Sequence, residues 1–173
     1  MTKRTFTGLF IFLVFAATFI SCNKDNGNTN PAYQIKADFD GSEKVFSVLT
    51  SAAESTPDNL FNLTLFGIGA TESISLHLWS DKDDFVAGKT FTITGPAGKE
   101  NAMAYGLNGA PDSTQSYYSH FKYGTVAEQL DCTITERTPT YIKGTFSGKL
   151  YKNQTGIPQK IEVTNGSFFV PFD

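Results

Sequence analysis

The stretch LDCTITERTPTYIKGTFSGKL, Leu130–Leu150, decides the class of fold. Leu130, Cys132 and Ile134 alternate with Asp131, Thr133 and Thr135, so this run has one apolar and one polar face. Ile142, Phe146 and Leu150 repeat that period of two, with Gly144 and Gly148 on their side. Side chains alternate across a strand, whereas a helix would need a period of about 3.6. Both runs are therefore read as strands, half-buried against one core.

The same signature recurs outward along the chain. YQIKADF places Tyr33, Ile35, Ala37 and Phe39 on one face; Asp40-Gly41 supplies a turn, and VFSVL returns from it. In SISLHLW, Ile74, Leu76 and Leu78 point one way while Ser75, His77 and Trp79 point the other. FNLTLFGI, KTFTIT, AMAYGL, SYYSHFKY, QKIEVT and SFFVPF bring the total to ten or eleven short strands, with no convincing helical period between them. Without crossover helices the sheets are antiparallel. The predicted fold is all-β: an antiparallel β-sandwich, or alternatively a flattened, lipocalin-like β-barrel. Gly144-Thr145-Phe146 and Gly166-Ser167-Phe168, with the longer Gly88-Lys89-Thr90-Phe91, are read as strand starts where Gly eases a bend before an inward Phe.

The first residues have another purpose. Lys3 and Arg4 precede an apolar run, Phe6 to Ile20, that is shorter than the about 20 residues a membrane-spanning helix needs. A basic start, a short apolar segment and small residues near its end describe a signal peptide over residues 1–21. Phe19-Ile20-Ser21-Cys22 resembles the lipobox of bacterial lipoproteins. The resemblance implies cleavage before Cys22, acylation of its sulfur and amino group, and a membrane partner held through those acyl chains. After Cys22 comes NKDNGNTNP, Asn23 to Pro31, polar and small, so residues 22–31 read as the lipidated cysteine and a flexible tether. Lys24-Asp25 looks like part of the acidic surface-export signal of Bacteroidota lipoproteins. Outer-membrane placement, with an outward orientation, is the expectation.

Composition narrows the choice of partner and of domain count. Without residues 1–21, twelve basic side chains face 17 acidic ones, a net charge of −5 that argues against nucleic acid as a partner. Residues 32–173 suffice for one domain, and no linker interrupts them. Sixteen Phe and seven Tyr favour strands. With Cys22 acylated, Cys132 has no disulfide partner and is read as a small buried hydrophobe.

Catalytic signatures fail on inspection, so no enzyme is expected. Gly144-Thr145-Phe146-Ser147-Gly148 places its serine one position late for a nucleophile elbow. Gly67-Ile68-Gly69 lacks the third glycine of a dinucleotide site. His77 and His120 lie on different strands without the neighbours a zinc site needs. Ser80-Asp81-Lys82-Asp83-Asp84 is the densest acidic run; Asp81, Asp83 and Asp84 could give calcium part of an oxygen shell, although a solvated turn explains them too. No other cofactor is indicated. Asp112-Ser113-Thr114 resembles a short O-glycosylation acceptor of Bacteroidota envelope proteins, at Ser113.

The most suggestive cluster is aromatic. Tyr117-Tyr118-Ser119-His120-Phe121-Lys122-Tyr123 puts rings on both faces of one strand, and Trp79 alternates with inward leucines. Rings off the core face stack on sugars or mark protein contacts. Trp79, His77, Tyr117, Tyr118, His120 and Tyr123 are therefore the candidate ligand-binding residues, for a glycan or an envelope protein. Other readings are a passive structural subunit of the envelope and a barrel carrying a lipophilic ligand.

Asp40-Gly41, Thr133 to Glu136 with Ile142 to Ser147, and Val163 to Phe168 together resemble a family of small all-β lipoproteins of the Bacteroidota. That resemblance implies an envelope domain and carries over no catalytic residue.

Overall fold

Two Gly-x-Phe units show how the late strands are built. Gly144 pairs across the sheet with Phe168, and Phe146 pairs with Gly166, so each ring lies over the other strand's glycine. A Cβ on Gly144 would come within 2.2 Å of the Phe168 ring, and one on Gly166 within 2.8 Å of the Phe146 ring. Both glycines therefore sit inside strands, where a close ring needs their bare backbone, and not at strand starts as the sequence suggests.

The computed structural model describes residues 32–57, 60–96, 99–107, 116–119, 129–152 and 159–173. Eleven strands form one sheet: β1 (Gln34–Phe39), β2 (Ser42–Phe46), β3 (Leu49–Ser55), β4 (Phe61–Ile68), β5 (Glu72–Ser80), β6 (Thr90–Thr92), β7 (Ala102–Leu107), β8 (Ser116–Tyr118), β9 (Leu130–Arg137), β10 (Tyr141–Lys152) and β11 (Lys160–Pro171). Their order is β2-β1-β11-β10-β8-β7-β5-β4-β3, and β9 pairs with both β10 and β6. Every strand pairing among the described residues is antiparallel. A 3-10 turn at Lys82–Asp84 follows β5.

The sheet curls until β3 meets the chain just beyond β11. Ala52 of β3 forms a parallel bridge with Phe172, just beyond β11, and the Asp173 N–H donates to the Ala52 carbonyl at 3.2 Å. Of the two arrangements expected, the chain adopts the nearly closed barrel. The bridge shields part of the β3 edge that an open sheet would expose.

Alternation places the interior as predicted except at Tyr33, which precedes β1, escapes its period and stays exposed against Phe169. Ile35, Ala37 and Phe39 are buried, as are Ile74, Leu76 and Leu78, Leu130, Cys132 and Ile134, and Ile142, Phe146 and Leu150. Leu63, Leu65, Met103 and Val170 join them in one core that fills the described lumen. A partner for Cys132 is not needed there: its thiol is buried and free, and burial pushes its pKa up to about 12, which keeps it protonated and unreactive.

Some boundaries differ from expectation. VFSVL does not form one strand; β2 ends at Phe46, and the Val48 N–H turns to the Ile68 carbonyl at 2.9 Å as β3 begins. QKIEVT and SFFVPF merge into β11, which continues through Asn165 at φ 52° as a bulge opposite Ser147.

Candidate functional site

Three regions carry exposed chemistry, and they treat the predicted site residues differently. The first is the outer face of the sheet. Phe66 on β4 pairs with Ser75 on β5, Ser75 with Ala104 on β7, and Ala104 with Tyr118 on β8. The adjacent outward row is Ser73, Gly106 and Ser116. Two rings thus stand three strands apart, roughly 14 Å at about 4.8 Å per strand, over a floor of serine, alanine and glycine. Small floor residues between large walls leave a notch of about 280 Å³. Its described lining contains no acid, lysine, arginine or histidine.

The predicted aromatic cluster is divided by this geometry. Tyr118 faces outward into the notch, but Tyr117 turns inward against the core, its ring 6.1 Å from that of Tyr105. Alternation along a strand forces neighbouring tyrosines onto opposite faces. Trp79 and His77 share the outer face of β5 with Ser75 but lie outside the notch. The Trp79 backbone N–H donates to the buried Asn101 side chain at 2.6 Å, and Lys99 stands 5.0 Å over the indole. His77 meets Thr64, with its Nδ1 3.2 Å from the hydroxyl. Trp79 is half-buried, with the Lys99 ammonium over its ring. His120 and Tyr123 lie outside the described residues, as do Cys22 and Ser113.

A second region is the barrel end formed by the chain's return. A cleft of about 1000 Å³ opens between β3, the 82–87 turn, the β9–β10 corner and Phe172. Arg137 forms its floor: it donates to the Phe85 carbonyl at 3.0 Å, pairs with Glu54, and lies over the Phe172 ring at 5.5 Å. Asp83 lines this cleft. Asp84 does not join it, because Lys89 pairs with it at 2.8 Å and the Ser80 hydroxyl donates to it. Those two hydrogen bonds hold its carboxyl below the usual range. Asp81 stands at the start of the 3-10 turn. Among the described residues no three metal-ligating side chains converge, so Asp81, Asp83 and Asp84 read as a turn secured by Asp84.

The opposite end carries a charged cap. Lys44 donates to both Glu72 oxygens at 2.9 and 2.7 Å, and the Tyr105 hydroxyl donates to the same carboxylate. The ammonium also stands 5.9 Å from the Phe39 ring and 5.6 Å from that of Tyr105. Burial works to raise the Glu72 carboxyl, but the Lys44 and Tyr105 hydrogen bonds outweigh it and the group titrates below its ordinary value. No local pattern predicts this cap, since Lys44 and Glu72 are 28 positions apart and meet only when the β1–β2 hairpin folds over the barrel.

A scan against protein-family models finds no match, and searches of curated proteins and of solved structures find none either.

Proposed function

We propose that this chain is a lipid-anchored, non-catalytic binding module of a bacterial outer membrane, and that it holds a neutral saccharide in the notch between Phe66 and Tyr118. The anchor reading rests on the lipobox-like Phe19 to Cys22 and the polar tether after it. The binding reading rests on the lining. A notch walled by two rings, floored by serines and free of charged side chains suits a ligand that is flat, uncharged and rich in hydroxyls. Sugar rings stack their C–H faces on aromatic walls while serine hydroxyls exchange hydrogen bonds with theirs. The filled core favours this outer surface over the lumen as the place for a ligand.

A thermal-shift screen of the purified chain against neutral oligosaccharides tests the reading. A ligand at 100 times its dissociation constant adds about 2.7 kcal/mol, which raises the midpoint of such a domain by roughly 5–10 °C. Tyr118→Ala is expected to cut affinity about tenfold, or about 1.4 kcal/mol, while Trp79→Ala leaves it intact. Saccharide binding that survives Tyr118→Ala and disappears with Trp79→Ala would place the site elsewhere on the sheet. No shift from any saccharide would return the molecule to a structural role in the envelope.

A further inference from the structure

The outer face of β1, β10 and β11 carries an aromatic group that the notch does not use. Tyr33, Phe169 and Tyr141 form a continuous row, with ring centroids 4.6 and 5.1 Å apart. Lys143 stands 4.8 Å over Phe169 and 5.0 Å over Tyr141. Its ammonium pairs with Glu136 at 2.8 Å, and the Tyr141 hydroxyl donates to the same carboxylate. Tyr33 is 41 % exposed, and Pro171 pairs with Tyr141 at the end of the row.

From these observations we infer that this row rests in the interfacial layer of the lipid bilayer. The inference depends on the Cys22 anchor proposed above. Two features select lipid as the occupant. The chain enters the barrel inside the row itself, because Tyr33 immediately precedes β1 and follows Cys22 by only eleven positions. At about 3.5 Å per residue, that span reaches at most roughly 40 Å, so an anchored chain keeps this face within easy range of the membrane. The side chains are also of the interfacial kind. Tyrosine and lysine bury an apolar body and keep a polar tip in water, which is why such residues collect at the headgroup level. Lys143 and Glu136 cancel in charge, so the attraction is partition of rings and not attraction to anionic lipid.

The test uses the full, acylated chain reconstituted in phosphatidylethanolamine–phosphatidylglycerol vesicles containing brominated lipid, which quenches nearby indoles. Trp79 is the only tryptophan, so wild type reports the barrel wall. Tyr33→Trp in a Trp79→Phe background reports the row, and Tyr141→Trp in the same background repeats the reading from a second strand. Circular dichroism checks that each variant is folded. The indole at either row position is expected to be quenched about twofold more than Trp79, and to stay so in 0.5 M salt because rings and not charges hold it (screening length about 4 Å). Quenching no greater than that of Trp79, on chains that remain vesicle-bound, overturns the inference alone. Emission that changes with protein density but ignores brominated lipid assigns the row to a second copy of the chain, and overturns it too. Chains that fail to float with the vesicles, with no acyl mass on Cys22, remove the anchor reading and this inference together.

Discussion

The two ends of the barrel are made from the same parts and finish differently. At one end Lys44, Glu72 and Tyr105 close over Phe39; at the other Arg137, Glu54 and the Phe85 carbonyl lie over Phe172 and leave a cleft of about 1000 Å³. Each end pairs a cation with a carboxylate on aromatic rings. The difference is in who supplies the partners. The closed end is capped by a hairpin, so Lys44 reaches across from β2 to β5 and a tyrosine donates a further hydrogen bond to the carboxylate. The open end has no hairpin over it among the described residues, and Arg137 bonds sideways to the rim. Both ends carry an ionic contact on rings; what distinguishes them is the β1–β2 hairpin over one.

That comparison can be broken in order of expected effect. Glu72→Ala should cost the most, about 2–3 kcal/mol, because it strands a part-buried ammonium and a hydroxyl. At about 3 °C per kcal/mol this is a midpoint drop of roughly 6–9 °C by calorimetry. Arg137→Ala should cost about 1–2 kcal/mol in the same measurement, since Glu54 and the Phe85 carbonyl at the open rim regain water. If Arg137→Ala proves the more damaging, the open end is the more tightly built and the comparison is inverted. Tyr105→Phe removes one hydroxyl and keeps the ring, so about 1 kcal/mol is expected in denaturant melts.

Acid should also distinguish the ends. The Glu72 carboxyl titrates below its ordinary 4.5 when folded, so the fold favours its ionised form. Its contribution is complete above 4.5 and is lost as pH falls through the lower, folded value. Melts at a pH below that folded value should therefore lose less in Glu72→Gln than in wild type. The smallest effect belongs to the sheet's outer face: Glu136→Gln, at a solvent-exposed pair with Lys143, should leave the midpoint unchanged within error.

The sequence shows the interior well and the surface poorly, for a physical reason. Burial leaves a period-two trace, so Leu130, Cys132, Ile134, Ile142, Phe146 and Leu150 announce their faces directly. β3 leaves almost none: LTSAAES buries Ala52 alone among its apolar residues, and its place is set by pairing with β4 and by the distant Phe172. The reciprocal seating of Phe146 on Gly166 and Phe168 on Gly144 is visible as repeated Gly-x-Phe units, but its meaning depends on the β10–β11 register. The aromatic run puts Tyr118 among six candidate residues, beside an inward Tyr117, and says nothing of Phe66. The row that joins them crosses four strands, and no local pattern encodes which residues come abreast. The Arg137 cleft draws on four separated segments and is equally hidden.

The most direct test of the binding account is a nuclear magnetic resonance titration of ring-labelled protein with the saccharide that gives the largest thermal shift. The account predicts that the Phe66 and Tyr118 ring signals move together and saturate at one affinity, while Phe172 stays still. Movement of Phe172 with Phe66 and Tyr118 silent would contradict it, and would transfer the ligand to the cleft beside Arg137.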